Sequence, residues 1–293
     1  MTVPGEKSAR RRGVLLVTAA TVLWSMAGLF ARALAHLDVW TVVGWRATLG
    51  AACISLVGVA EWRRGRRDDL LGFGALSPVA AALATIAIAA YTAAVMTTTI
   101  ADVMVIYATL PFVAAAIGWL VNREAVDRRT LAASGVALAG VVVIFANGLG
   151  SGRLGGQALS ALMTLAFAGM IVLQRRRPGA SMTAVNAAGA FGAGALGLSL
   201  SPHPPLTVFD LAVLLAYGST TIALAFVLFM EGAKSIPSAE AGLVSLLDVV
   251  LAPVWVFLAF GENPGAPTAL GGAIVLGAAL WRMAPDLRGE KLW

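Results

Sequence analysis

Apolar residues come in long runs broken by short polar gaps, and the run length is the first structural signal. Ten runs can be read: Val14–Leu34, Trp40–Ala60, Leu76–Thr98, Ala101–Val121 and Thr130–Ala146 in the first half, then Gly155–Leu173, Thr183–Leu200, Leu211–Met230, Ala239–Phe260 and Thr268–Met283. A helix needs roughly 17–25 apolar residues to cross the hydrocarbon core of a bilayer, and these runs meet or approach that length. The last run of each half is the shortest. No alternating ten-residue pattern recurs, as a membrane β-barrel would require. The pattern predicts an all-α, polytopic membrane protein of ten transmembrane helices, with gaps too short to hold a soluble domain.

Composition points the same way: 59% of residues are hydrophobic and only 12% charged, whereas soluble domains carry about 25% charged residues. The net charge of +6 does not indicate nucleic acid, because the basic residues cluster between apolar runs, where anionic lipid headgroups are the natural partners. Lys7, Arg10, Arg11 and Arg12 precede the first run. Arg63, Arg64, Arg66 and Arg67 follow the second. Arg123, Arg128 and Arg129 follow the fourth, Arg175, Arg176 and Arg177 the sixth, Lys234 the eighth, and Arg282, Arg288 and Lys291 the tenth. The intervening loops hold only Arg32 and Arg153, and Arg46 lies inside the second run. This alternation predicts both termini in the cytoplasm. The first run exceeds the roughly 7–15 residues of a signal-peptide core, so a retained first helix is expected. With one cysteine, Cys53, an intramolecular disulfide is excluded.

Sliding the chain by 138 residues lays Ala101-Asp102 on Ala239-Glu240, Glu124 on Glu262, and Thr130 on Thr268. Each copy has an odd number of helices, so the copies enter the membrane from opposite sides. Such inverted-topology repeats place a transporter's site near the midplane between the halves. The expected organisation is a basic amino terminus (1–12), a first five-helix repeat (13–149), a second (150–285) and a cytoplasmic tail (286–293).

Several short motifs carry a family likeness. Leu23-Trp24-Ser25-Met26 resembles a Trp-Gly-x-x segment, Ala90-Tyr91-Thr92 and Leu110-Pro111-Phe112 resemble Tyr-Thr and Leu-Pro-Val/Phe, and Gly261-Glu262 matches Gly-Glu. Together they resemble the ten-helix EamA-type branch of the drug/metabolite transporter superfamily over nearly the whole chain. Four departures stand out: Asp248 for glutamate, Val249 for proline, Arg123 for glycine and Arg32 for lysine. Within the family the chain is most similar to aromatic amino acid exporters. The resemblance implies an inner-membrane exporter of bacteria that moves small amphipathic metabolites, aromatic or other large neutral amino acids foremost, by alternating access. Other metabolites or drugs of the superfamily are the alternative substrates.

Charge inside a span is expensive, roughly 2.5–3.5 kcal/mol at a helix centre on insertion scales, so each instance is a candidate. Asp248 falls nine residues into the ninth run, near the midplane. It is read either as a cavity carboxylate for a substrate amine or proton, with Ser245 one turn earlier on the same face, or as packing glue between helices. Arg46, six residues into the second run, can snorkel to the interface or hydrogen-bond structurally; the other reading is an anchor for a substrate carboxylate. Glu124 and Glu262 are expected to hold helix ends against their neighbours, and Asp102 and Glu240 to cap helix N-termini. Trp40, Trp62 and Trp281 read as interfacial belt residues. Trp24, Tyr91, Tyr107 and Tyr217 fall within spans with a polar tip to satisfy. Phe167 stands as the repeat counterpart of Trp24, flanked by Met163 and Met170. These residues would suit a flat apolar side chain. Pro111 is expected to bend the fourth helix as a hinge.

The chain has no Asp-x-x-x-Asp or His-Glu-x-x-His motif, and its two histidines, His36 and His203, lie in predicted outer loops. A membrane-embedded lipid-modifying enzyme is therefore the weaker alternative. No metal and no cofactor are expected. The expected partners are a small-molecule substrate and membrane lipid, with no nucleic acid, in a monomer or weak homodimer.

Overall fold

The computed structural model describes residues 4–65, 72–123, 128–148, 152–177, 180–236, 241 and 244–288. Among them there is helix and no strand. The first span is α1 (Pro4–Ser25) and α2 (Ala27–Ala33), interrupted at Met26; α3 (Val39–Arg63) is the second and α4 (Ser77–Thr97) the third. The fourth is broken into α5 (Ile100–Tyr107) and α6 (Leu110–Asn122), and α7 (Arg128–Gly148) is the fifth. The second half holds α8 (Leu154–Arg176) and α9 (Met182–Leu200). Next comes a broken eighth span of α10 (Val208–Gly218), a π-helical turn (Ser219–Leu224) and α11 (Ala225–Ala233). The last two are α12 (Leu247–Phe260) and α13 (Ala266–Arg288). Seven stretches are long and apolar enough to cross a membrane, the bent α5–α6 pair makes an eighth, and the ninth and tenth contribute shorter apolar helices. These elements fall, in order, on the ten apolar runs.

Polar side chains at the helix starts explain the boundaries. Asp38 accepts the Thr41 N–H (2.9 Å) to cap α3, Thr99 accepts the Asp102 N–H (3.1 Å) to cap α5, and Thr207 and Asp210 form a reciprocal capping box on α10. Such caps satisfy N–H groups that a helix leaves unpaired. Two spans end alike: α6 stops at Arg123 (φ 55°) and α12 at Gly261 (φ 68°), both left-handed and 138 residues apart. Glycine takes this conformation freely, whereas a residue with a Cβ does not. The departure at Arg123 therefore stores strain that its counterpart avoids. Arg123→Gly is expected to stabilise the protein by about 1 kcal/mol, read as a raised melting temperature in detergent; an unchanged or lowered value would show that the arginine makes a compensating contact.

The largest contacts between helices recur when each span is exchanged for the one five places along the chain, while smaller ones, such as that of α3 with α4, have no counterpart. α3 lies along α9, and α7 along α13, each pair mapping onto itself. The contact of α4 with α8 is matched by that of α11 with α1, and α9 on α4 by α10 on α3. Contacts of the fourth span with the sixth are matched by those of the ninth with the first. Two self-matched pairs cross at glycine. A Cβ on Gly197 would stand 2.3 Å from the Gly44 nitrogen, and one on Gly140 would stand 2.8 Å from the Gly271 carbonyl oxygen. Backbones this close let dispersion act where the hydrophobic effect does not operate between helices in lipid. The largest core cluster gathers at the centre, with Met104, Met163, Tyr217, Val249 and Ile144 buried and Phe30, Tyr91, Tyr107 and Leu246 packed against them.

Candidate functional site

Arg46 organises the polar interior. It leaves α3 two turns from the Asp38 cap and is only 3% exposed. Its Nη1 donates to Thr92 Oγ1 (2.6 Å) and its Nη2 to Thr221 Oγ1 (3.0 Å). Both hydroxyls spend their own protons on helix carbonyls, Thr92 on Ile88 (2.9 Å) and Thr221 on Tyr217 (2.6 Å). Lone pairs are thus left facing the guanidinium. The Tyr217 and Tyr91 rings lie 4.2 and 5.5 Å from its central carbon, within cation–π range. Of the readings left open by the sequence (snorkelling, a structural hydrogen bond or a substrate anchor), snorkelling does not describe this geometry: α3 runs between α9, α4 and α10, and the guanidinium hydrogen-bonds to Thr92 on α4 and to Thr221 on the π turn after α10.

Trp24 joins the same network from the first span. It is the last but one residue of α1, beside the break at Met26. Its Nε1 donates to the Thr221 carbonyl (2.9 Å), and its ring meets Phe229 at 5.2 Å. The π turn explains why that carbonyl is open to an outside donor: its wider winding shifts the helical hydrogen bonds and marks a local interruption. Asn186 Nδ2 reaches the next carbonyl, Ile222, at 3.4 Å. Trp255 Nε1 donates to Ser25 Oγ at 3.0 Å, pinning the ninth span to the same part of the first.

Asp248 sits differently from the sequence reading. It does not fall in the middle of a continuous helix but in the first turn of α12, whose N-cap is Leu246. A carboxylate there is favoured by the positive end of the helix dipole. It is 8% exposed, and its Oδ1 has no hydrogen-bond partner among the described residues. Ser245 is not that partner, because its hydroxyl donates to the Ala241 carbonyl (2.9 Å). Leu246 and Val249, which flank Asp248, pack in the central cluster with Tyr91 and Tyr107. Two more buried polar atoms near the centre, Arg46 Nε and the Tyr217 hydroxyl, lack a partner among the described residues. Tyr217 is fully buried and stacks on Phe30 at 5.4 Å.

Tyr107 meets Phe167 at 6.1 Å. Met163 belongs to the central cluster, while Met170 packs with Phe167 in a neighbouring cluster around Phe73 and Ala84. The fourth span bends by 40° between Tyr107 and Leu110. Pro111 lies just after the bend, in the first turn of α6, where its missing N–H costs nothing. It is exposed, so it marks the break rather than lining the interior. Tyr107 and Ser245 are 138 residues apart, and each immediately precedes the break in its span.

At the span ends, the charges of Arg32, Asp102 and Glu262 are each engaged. Glu262 Oε2 pairs with Arg32 Nε (2.5 Å) and its Oε1 accepts the Ile100 N–H (2.8 Å) at the start of α5. Arg32 also donates to the Val95 and Thr98 carbonyls (2.6 and 2.8 Å). Asp102 was expected to cap α5, but Thr99 fills that role. Asp102 instead accepts from Thr268 Oγ1 (2.6 Å), Gln157 Nε2 (3.0 Å) and Thr98 Oγ1 (3.1 Å), with Arg153 at 3.5 Å. Glu124 and Glu240 lie outside the described residues. Thr92, Thr221, Phe30 and Gln157 escaped the sequence reading; a threonine inside an apolar run, repeated at Ser219-Thr220-Thr221, is the signal that could have found the first two.

The EamA-like transporter family matches residues 11–146 and again 154–283, once in each half. No curated protein matches the chain. Among solved structures, a protein crystal structure 19% identical in sequence aligns with a TM-score of 0.63, covering 95% of this chain and 99% of that one; this likeness supports the fold. Matches over both halves, an all-helical bundle of apolar spans and a buried polar interior agree: the chain is a membrane protein belonging to the EamA-like transporter family of the drug/metabolite transporter superfamily.

Proposed function

We propose that the chain exports zwitterionic aromatic or other large neutral amino acids across the bacterial cytoplasmic membrane, by alternating access between two inverted five-helix halves with both termini in the cytoplasm. The observation that carries this reading is the pairing of a buried cation and a buried anion, each with an atom unused by the protein. Arg46 Nε and Asp248 Oδ1 both lack a partner among the described residues; the Arg46 guanidinium lies 5.5 Å from the Tyr91 ring, and Tyr91 packs in the central cluster with Leu246 and Val249, which flank Asp248. An amino acid presents a carboxylate to the first and an ammonium to the second. Its side chain is received by Tyr91, Tyr107, Tyr217 and Phe167, with Trp24 closing one side and Met163 and Met170 adapting behind them. Buried polar atoms left unmatched cost about 1–3 kcal/mol each, so a ligand that matches both recovers that cost while a singly charged analogue recovers half.

The exchange symmetry of the helix neighbours supports the inverted repeat. The matched breaks in the fourth and ninth spans supply two places where the halves bend around the site. Purified protein in liposomes is expected to accelerate uptake of labelled phenylalanine. Asp248→Asn is expected to lower the rate at sub-saturating substrate at least about tenfold, since one unmatched charge-assisted bond is worth roughly 1.5–3 kcal/mol. Trp24→Ala should slow transport with insertion intact. Flux no faster than empty vesicles across a panel of neutral amino acids would remove the substrate class, and unchanged kinetics in both variants would place the site elsewhere.

A further inference from the structure

A second binding feature lies away from the central network, on the outer side of the α3–α9 pair. The two helices touch closely at Gly44 and Gly197 and part toward the other end of the pair. There, a Cβ on Gly58 would meet only the Thr183 methyl at 3.8 Å. The opening is a cleft of about 430 Å³, floored by Gly58, Ala184 and Ala187 and walled by Val59, Trp62 and Phe191. The walls face outward: Val59 is 49% exposed, Trp62 43% and Phe191 50%. Trp62 is followed at once by Arg63, in the last turn of α3, and Arg64, its C-cap, both exposed. Glu61, on the same turn, accepts from Ser181 Oγ at 3.3 Å. The cleft is thus mainly apolar, with Ser55 and Thr183 also in its lining and Trp62 at one end, and the chain runs from Trp62 directly into the two exposed arginines.

We propose that this cleft binds one anionic phospholipid, its acyl chain lying along Gly58 and Ala187 and its phosphate meeting Arg63 and Arg64. The charge order matches a lipid entering tail first: hydrocarbon against hydrocarbon, Trp62 at the headgroup level, guanidinium on phosphate. The site depends only on the chain being in a membrane, not on what the centre transports.

Native mass spectrometry of the full chain in detergent, titrated with phosphatidylglycerol and with phosphatidylcholine, tests the assignment. One phosphatidylglycerol should be retained in preference to phosphatidylcholine. Arg63→Gln and Arg64→Gln should each weaken phosphatidylglycerol about fivefold and leave phosphatidylcholine unchanged. Gly58→Phe should fill the cleft and remove the bound lipid of either kind; the open space beyond Gly58 lets the variant keep its fold, checked by an unchanged melting temperature. If the arginine variant does not fold, Gly58→Phe alone decides. Lipid retention unaffected by Gly58→Phe would overturn the proposal, and so would a dimer abolished by that variant, which would give the cleft to a second copy.

Discussion

Arg46→Met is expected to abolish measurable transport in reconstituted vesicles while the protein still inserts and folds in the membrane. Methionine keeps much of the volume and removes the charge. Truncating one partner of a buried, hydrogen-bonded charge interaction costs about 2–5 kcal/mol, which lowers transport efficiency at least about thirtyfold. Two separate effects combine. On the proposed function the substrate carboxylate loses its anchor, and Thr92 and Thr221 lose the group that joins α4 and the π turn to α3. Arg46→Lys separates them. A lysine keeps the charge but cannot reach both threonines in the planar fork geometry of a guanidinium, so an intermediate rate is expected. If Arg46→Met transported at the parent rate, the guanidinium would be scaffolding alone.

Gly197→Leu is expected to disrupt the molecule more than any substitution in the polar interior. The added Cβ would fall 2.3 Å from the Gly44 nitrogen and 2.6 Å from its Cα. Neither is the end of a flexible side chain, so whole helices must separate. Overpacking ordinarily costs about 1–3 kcal/mol, and a clash with backbone belongs at or beyond the upper end. The α3–α9 pair lies on the line about which the neighbours exchange, so both halves lose their common contact. The measurement is thermal melting in detergent with folded yield from membranes. Gly58→Leu, on the same helix and facing open space, is the matched control and should melt near the parent. Equal melting of the two variants would show that the close crossing at Gly44 contributes little.

The sequence made the helices legible because the bilayer imposes one simple demand, a long apolar run. The run and its flanking arginines are local, so all ten spans could be read in order. The interruptions were harder. Pro111 announced a bend in the fourth span, but its counterpart in the ninth is Val249, and nothing local marks the start of α12 at Leu247. Asp248 was therefore placed deep within a continuous helix when it stands in a first turn. The π turn at Ser219–Leu224 left only a run of hydroxyl residues as its trace. Arg46 was the furthest from legible. Whether an intramembrane arginine snorkels or turns inward depends on partners 46 and 175 residues away in Thr92 and Thr221, and a single sequence does not pair them. For the same reason Trp24 could be seen to need an acceptor, but not that the acceptor is a carbonyl released by a distant π turn.

The proposed pairing of Arg46 and Asp248 makes a specific demand on the ligand: it must carry both charges. The most direct measurement is competition against labelled phenylalanine uptake in proteoliposomes by phenethylamine, which lacks the carboxylate, and 3-phenylpropanoate, which lacks the ammonium. Unlabelled phenylalanine should compete fully, and each analogue at least about tenfold more weakly, as one missing charge-assisted bond is worth roughly 1.5–3 kcal/mol. Asp248→Asn should narrow the gap for 3-phenylpropanoate alone, because that analogue never used the carboxylate. Competition by either analogue as strong as that of phenylalanine itself would contradict the account.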